Sequence, residues 1–154
     1  MNMNWEILSN IVTVFGLPFA ILIFLYEQNE ERKNEEDEVY QLLSDNYQDF
    51  LKVVLDNPDL HLITNESTTN LSNEQKERMF IIYSMLISIF ERAYLLLYGK
   101  KLNKNQKRRW ASWNDYMEEW CRREDFIKEL PELLKGEDPD FVEYIKHLVN
   151  KKSM

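Results

Sequence analysis

The sequence has few of the residues on which most enzyme and metal sites depend. Its 154 residues contain one cysteine, Cys121, and two histidines, His61 and His147. A single cysteine excludes an internal disulfide and a cysteine-rich metal site. No glycine-rich phosphate loop, nucleophile elbow or metal-ligand spacing is present either. We therefore expect both histidines to be structural, and we expect neither an enzyme nor a cofactor or metal site.

Glycine and proline are also scarce, with three and four copies, whereas charged residues make up 30% of the chain. This composition is typical of helices joined by short loops. The formal net charge of −8 argues against a surface that binds nucleic acid throughout. The chain is long enough for one domain with a helical core.

Charge is absent from the N-terminal part of the chain between residues 7 and 26. At about 1.5 Å per residue this run is about 30 Å long as a helix, which matches the hydrocarbon thickness of a bilayer. Trp5 and Tyr26 flank it, as aromatic residues do at the two interfaces. A secretory signal differs in having a basic start and a small-residue cleavage site. We predict an uncleaved transmembrane anchor over residues 1–26.

The residues after the anchor predict its orientation. Residues 27–38 contain seven carboxylates and the two cations Arg32 and Lys33, and we expect an acidic juxtamembrane helix there. Because no lysine or arginine precedes the anchor, the positive-inside rule predicts a cytoplasmic C-terminus. The lone cysteine agrees with a reducing compartment. The expected location is the inner (cytoplasmic) membrane, crossed once, with residues 39–154 as a cytoplasmic bundle.

Apolar residues recur at three- and four-residue steps from Val39 to Leu55, which indicates an amphipathic helix that ends near Pro58. Ser72 and Gln75 form a capping-box pattern for the next helix, which we expect to continue to Tyr98 and to stop at Gly99. Its residues 79–98 are almost all apolar. Glu91 and Arg92 near the middle favour a buried helix with a structural ion pair over a second span.

Further helices follow in the last third of the chain. Three tryptophans and one methionine, Trp110, Trp113, Met117 and Trp120, share one helical face. Apolar residues continue from Phe126 to Pro131, where we expect a helix end, and Asp138 with Pro139 is typical of a helix start. The prediction is thus an all-α fold, in which a single N-terminal transmembrane helix continues into a cytoplasmic bundle of four to five helices.

The anchor contains small residues at helical spacing. Ser9, Thr13, Gly16 and Ala20 are separated by four, three and four residues and therefore share one stripe. Small residues allow helices to approach closely in lipid, and hydroxyl groups supply hydrogen bonds between them. We expect this stripe to be a homo-oligomer seam, and the hydroxyl groups to line a pore if several copies surround an axis.

A basic stretch precedes the tryptophan face, and no acid interrupts it. We take it as the candidate ligand or polyanion site, composed of Lys100, Lys101, Lys104, Lys107, Arg108, Arg109, Trp110 and Trp113. Cations beside aromatic rings hold single strands by phosphate attraction and base stacking. Three interpretations stay open: charge pairing with the acidic segment 27–38 or another subunit, contact with anionic headgroups, or binding of a nucleotide or single-stranded nucleic acid.

Several short motifs carry a resemblance that covers most of the chain: Asn57-Pro58-Asp59-Leu60, residues 90–95 (Phe-Glu-Arg-Ala-Tyr-Leu), the aromatic series Trp110, Trp113, Tyr116 and Trp120, and Asp125-Phe126. They resemble small bacterial membrane proteins with one N-terminal span and a helical cytoplasmic domain. In architecture the chain is similar to membrane effectors of antiphage systems, including the pore-forming accessory protein of type VI-B CRISPR. That resemblance implies oligomerisation and membrane depolarisation. The Arg–His motif of that group has no counterpart here, so it transfers no catalytic residue.

The expected function is therefore a homo-oligomeric membrane effector that forms an ion-permeable pore in bacterial antiviral defence. Its expected partners are the lipid bilayer, further copies of itself and a nucleotide or oligonucleotide that gates it. The alternative is a membrane-tethered helical interaction module that recruits a cytosolic protein partner.

Overall fold

The computed structural model describes residues 17–64 and 66–151. Within these residues the fold is all-α, as predicted. Its five α-helices are α1 (Leu17–Leu55), α2 (Asn73–Leu97), α3 (Lys104–Trp120), α4 (Glu124–Leu133) and α5 (Pro139–Lys151), and a short 3-10 helix spans Pro58–Leu60. Of the predicted seam, Ser9, Thr13 and Gly16 lie outside the described residues, and Ala20 lies in α1.

The chain divides into two compact units at the boundary between Val39 and Tyr40. The described part of the first unit is the N-terminal portion of α1. Residues 19–26 of this helix are consecutive apolar residues whose larger side chains are 43–67% exposed. The acidic residues follow, and Lys33 Nζ pairs with Glu30 one turn earlier at 2.7 Å.

Among the described residues, α2 is the helix that is long and apolar enough to cross a membrane. Nine of its side chains are buried, from Met79 to Tyr94, and α2 contacts α3, α4 and α5. The core helix of a folded bundle has the same length and apolarity as a membrane span. The contacts of α2 are those of the central helix that the sequence predicts.

Side-chain caps set several helix boundaries. Ser72 and Gln75 form the predicted capping box at the start of α2, and Asp138 Oδ1 accepts hydrogen bonds from the backbone N–H groups of Asp140 and Phe141 at the start of α5. The predicted end of α2 agrees to within one residue, because the helix ends at Leu97. Tyr98 is its C-cap, in an extended conformation with φ −77° and ψ 137°, and Gly99 follows it.

Pro131 does not end α4 as predicted, because the helix continues to Leu133. A proline removes one hydrogen bond, here the one to the carbonyl group four residues earlier. This loss falls in the last turn, where Leu133 and Leu134 are both buried. The burial of two leucine side chains contributes more to the stability of this last turn than one hydrogen bond would.

Aromatic rings fill much of the core of the second unit, in two clusters. Tyr83 of α2 lies edge-on to Trp120 and Phe126, and Phe50 of α1 lies edge-on to the same Trp120. The other cluster joins α2, α3 and α5 through Tyr94, Tyr98, Trp110, Phe141 and Tyr144. These rings fix α3 against α2 and thereby hold the start of α3 in place.

A buried arginine holds the connection between α1 and α2. Arg123, just before α4, is only 2% exposed, and its Nη2 pairs with Asp125 at 2.7 Å. Its Nη1 donates to backbone carbonyl groups of the connection, those of His61, Leu62 and Thr64. Asp125 in turn accepts from the backbone N–H of Thr68 at 3.2 Å. One buried ion pair therefore organises an otherwise irregular segment.

Candidate polyanion-binding surface

The basic stretch lies at the start of α3, and neutral side chains cap the helix there. Asn103 Oδ1 accepts from the backbone N–H groups of Asn105 and Gln106, and the Gln106 side chain accepts from the Asn103 N–H. No acid lies in the first turn of α3. Cations near a helix N-terminus oppose the helix dipole. The stability of α3 therefore does not account for the basic residues.

Five of the six basic side chains point into solvent. Lys100, Lys101, Lys104, Lys107 and Arg108 are exposed, and Arg109 is half-buried. Within residues 17–64 and 66–151, the exposed five form no ion pair. A cluster of cations without counter-charges attracts polyanions, most strongly at low ionic strength.

A shallow groove of about 280 Å³ adjoins these cations, between α3 and the part of α1 in the same unit. Its lining consists of Tyr40, Asn105, Arg108, Arg109 and Ser112. The Arg109 guanidinium lies over the Tyr40 ring, 5.0 Å from its centroid, which restrains this arginine by a cation–π contact. The side chains of these lining residues offer hydrogen-bond donors suited to phosphate oxygens.

The two tryptophans proposed for the site differ in accessibility. Trp113 is 2% exposed and lies edge-on to Tyr47 and Tyr116, with centroid distances of 5.7 and 5.8 Å. A nucleobase cannot reach its face, so Trp113 belongs to the core. Trp110 is half-buried and retains an accessible edge. Of the two, Trp110 is the ring that a ligand can touch.

Tyr98 is an exposed aromatic residue of this surface that the sequence reasoning missed. It is 46% exposed, lies 5.1 Å from Trp110 between ring centroids and stacks on Tyr94 at 4.7 Å. Its position two residues before Lys100 was a usable signal, but the expected helix end at Gly99 assigned it to α2. Tyr98 offers a ring for stacking beside the lysines.

The inner rings of this cluster are polar and well anchored. The Tyr144 hydroxyl donates a hydrogen bond to the Asn114 side chain, and burial raises the pKa of Tyr144 well above its usual range. Burial also raises the pKa of Tyr94. Both phenols therefore stay neutral at physiological pH. The rings of Tyr94 and Tyr144 therefore form a neutral, packed layer next to Tyr98 and Trp110, and this layer does not repel an anionic ligand.

The residues that carry the resemblance have structural roles. The Asn57 amide donates to the Val53 carbonyl at the end of α1 and accepts from Arg78 at 2.7 Å. Glu91 does not pair with Arg92 as expected; it accepts from the backbone N–H of Asp138 at 2.6 Å. Neighbouring residues on a helix point in different directions, which accounts for this difference.

Metal-binding and nucleophilic side chains are few among the described residues. His61 and His147 are exposed, and in the described ranges no three His, Cys, Asp or Glu side chains form a metal-binding group. Cys121 is buried, and burial raises the pKa of its thiol to about 12. A thiol protonated at neutral pH is a poor nucleophile.

No protein-family model, curated protein or solved structure matches this chain.

Proposed function

We propose that this protein is a homo-oligomeric membrane effector whose spans form an ion-permeable pore, and that a polyanion on the basic surface of its cytoplasmic bundle controls the pore. The observation that carries the membrane assignment is the exposed apolar helix at residues 19–26. A helix segment that is apolar on all sides and exposed among the described residues suits lipid or other copies around it. With the uncharged residues before it, this segment is long enough to cross a bilayer.

The sequence supports the pore by two features. The stripe of Ser9, Thr13, Gly16 and Ala20 suits close packing of identical helices in lipid. The seven carboxylates in residues 27–38 would form an acidic ring around the mouth of an oligomer. Acidic rings favour entry of cations, so the proposed current is cation-selective.

The basic surface supports control by a nucleotide or single-stranded nucleic acid. Exposed cations attract the phosphates, and Tyr98 with Trp110 offers rings for the bases. Binding shifts the oligomer between closed and open arrangements to the extent that the ligand prefers one of them. Such control, together with the resemblance to antiphage effectors, suits a role in bacterial antiviral defence. The alternative assignments of these cations, to anionic headgroups or to the acidic segment, predict no preference for single strands.

A membrane-tethered interaction module is the second candidate, and one surface favours it. Ile81, Met85, Leu95 and Leu96 of α2 are exposed, each by 39% or more. Such a face suits a partner protein. Under this candidate the span only anchors the bundle, and any neutral leucine-rich helix can replace it without loss of function.

Binding of single strands tests the proposed control directly. The full chain in phosphatidylcholine nanodiscs is titrated into a fluorescent 12-nucleotide single strand, and anisotropy is recorded at several salt concentrations. The test variant is Lys107→Glu with Arg108→Glu, which leaves Arg109 and its contact with Tyr40 in place. The matched control is Lys76→Glu with Lys128→Glu, because both lysines are exposed and lie outside the basic surface. Both double variants change the net charge equally.

We expect the test variant to lose most of the affinity and to reduce the salt slope, log K against log salt, by about 1.4, since two cations each contribute about 0.7 on a single strand. The control variant keeps the slope of the wild type. Equal losses in the two variants would show a general charge effect and would contradict a site at the start of α3.

A further inference from the structure

A second concave surface lies between α4 and α5, and none of its lining residues belongs to the basic surface. It is a groove of about 440 Å³, within the range of about 300–1,000 Å³ for small-molecule sites. Six of the nine lining residues among those described are apolar, and the nine are Ile127, Leu130, Pro131, Leu134, Lys135, Val142, Lys146, Val149 and Asn150.

The apolar part of the groove is formed by the outer edges of two helices whose inner faces are already buried. Leu130 and Leu134 form a buried floor, and Val142 and Val149 are half-buried on α5. Pro131 is exposed and lacks a backbone N–H, so this part of α4 offers no donor that needs a partner. A ligand in the groove therefore meets hydrocarbon on both sides.

The polar part of the groove is positively charged. Lys135 and Lys146 belong to its lining, and none of the described lining residues is a carboxylate. Lys146 forms no ion pair with any described residue. Lys135 Nζ contacts Glu132 at 2.5 Å, but both side chains are more than half exposed, and exposed pairs of this kind are weak. Two ammonium groups beside an apolar trough complement a ligand with one anionic head and one hydrocarbon tail.

We propose that the groove between α4 and α5 binds a free single-chain acyl anion, such as a fatty acid, with the tail along Leu130, Leu134 and Val142 and the carboxylate at Lys146 and Lys135. This site goes beyond the proposed pore and does not depend on it. A two-chain bilayer lipid, a second copy of the chain or an acidic amphipathic helix would occupy the groove differently, and the test below separates these occupants.

The test uses the full chain in phosphatidylcholine nanodiscs with diazirine-labelled dodecanoate as the probe. After illumination, mass spectrometry maps the labelled peptides, and unlabelled dodecanoate competes. Because the bilayer is the same in every sample, partitioning of the probe into lipid is the same for every variant. Lys146→Glu removes one ammonium group, Val149→Trp fills part of the groove, and Lys128→Glu is the control, an exposed lysine of α4 outside the lining.

We expect labels between residues 127 and 150, and an apparent affinity about tenfold lower in Lys146→Glu, which corresponds to about 1.4 kcal/mol. Val149→Trp lowers labelling and Lys128→Glu does not. Dodecyltrimethylammonium, with the same tail and the opposite charge, fails to compete.

Three results would overturn the proposal. Equal labelling of wild type and Lys146→Glu would show that the Lys146 ammonium group does not contact the carboxylate of the probe. Labelling of the groove by a diazirine phosphatidylcholine, undisturbed by dodecanoate, would assign it to bilayer lipid. Absence of dodecanoate labels, with cross-links from the groove to another chain, would assign it to a protein partner.

Discussion

Arg123 and Asp125 form an ion pair of 2.7 Å between Nη2 and Oδ2 inside the bundle. The guanidinium also reaches three backbone carbonyl groups of the segment between α1 and α2, and the carboxylate accepts a backbone N–H of the same segment. Four backbone groups of this segment, three carbonyl groups and one N–H, therefore share their hydrogen bonds with these two side chains. The bundle needs this pair because the connecting segment has no regular secondary structure to satisfy its backbone.

The first prediction concerns removal of this arginine. Arg123→Ala leaves Asp125 without its counter-charge and removes a buried donor from three carbonyl groups, so we expect the free energy of unfolding to fall by about 3–5 kcal/mol. Urea unfolding of the full chain in detergent, followed by tryptophan fluorescence, measures the change. The control is Arg122→Ala, an exposed neighbour, for which we expect a much smaller loss. Equal effects of the two variants would contradict the role assigned to Arg123.

The second prediction concerns Tyr83, whose hydroxyl is buried and has no hydrogen-bond partner in the described chain. Burial also raises its pKa strongly. Since an unsatisfied hydroxyl is unfavourable in a core, Tyr83→Phe should change the free energy of unfolding by less than about 1 kcal/mol, or raise it. The same urea titration measures it. A loss of several kcal/mol would mean that the hydroxyl group has a partner after all, with Arg123 the nearest candidate.

The third prediction concerns pH. Burial, a hydrogen bond to Glu91 and repulsion between the two carboxylates raise the pKa of Glu137 from 4.5 to about 7. The folded state therefore binds more protons than the unfolded state between these values. The free energy of unfolding should fall as the pH rises from about 4.5 to about 7.

The Glu137→Gln variant should lose this part of the pH dependence, because the amide keeps the hydrogen bond and carries no charge. Thermal unfolding at a series of pH values measures it, with Glu143→Gln, an exposed carboxylate of α5, as the control. If Glu137→Gln keeps the slope of the wild type, the protonated pair does not exist.

Local patterns predicted much of the fold. The apolar spacing between Val39 and Leu55 and the capping box at Ser72 predicted helix boundaries that the structure contains, because these signals act between residues close in sequence. The helix end expected at Pro131 was wrong. Whether a proline ends a helix depends on what the next turn buries, and that is decided by packing with other helices.

The sequence predicted the cations of the candidate site better than it predicted which aromatic rings are accessible. The six cations between Lys100 and Arg109, with no acid among them, can be read directly from the sequence. The burial of Trp113 and the exposure of Tyr98 follow from how α3 packs on α2 and α1, which spacing alone does not determine. The role of the Arg123–Asp125 pair could not be predicted from the sequence either, because its backbone partners lie about 60 residues earlier in the chain.

The fourth prediction concerns the proposed oligomer seam in the proposed transmembrane anchor. Gly16→Leu places a bulky side chain where helices are proposed to approach, so we expect loss of the oligomer. Native mass spectrometry of the chain released from nanodiscs measures the subunit number. The control is Leu22→Ile, because Leu22 is exposed in α1 and lies outside the stripe. Full assembly of Gly16→Leu would place the seam elsewhere.

The most direct test of the proposed function is a current recording across a planar phosphatidylcholine bilayer that contains the purified full chain. We predict cation-selective currents that a single-stranded oligonucleotide changes in the wild type, but not in the variant Lys107→Glu with Arg108→Glu. Gly16→Leu should carry no current. A bilayer that contains assembled protein, verified by its mass, and conducts no more than a protein-free bilayer with or without the oligonucleotide would contradict the pore and leave the membrane-tethered module.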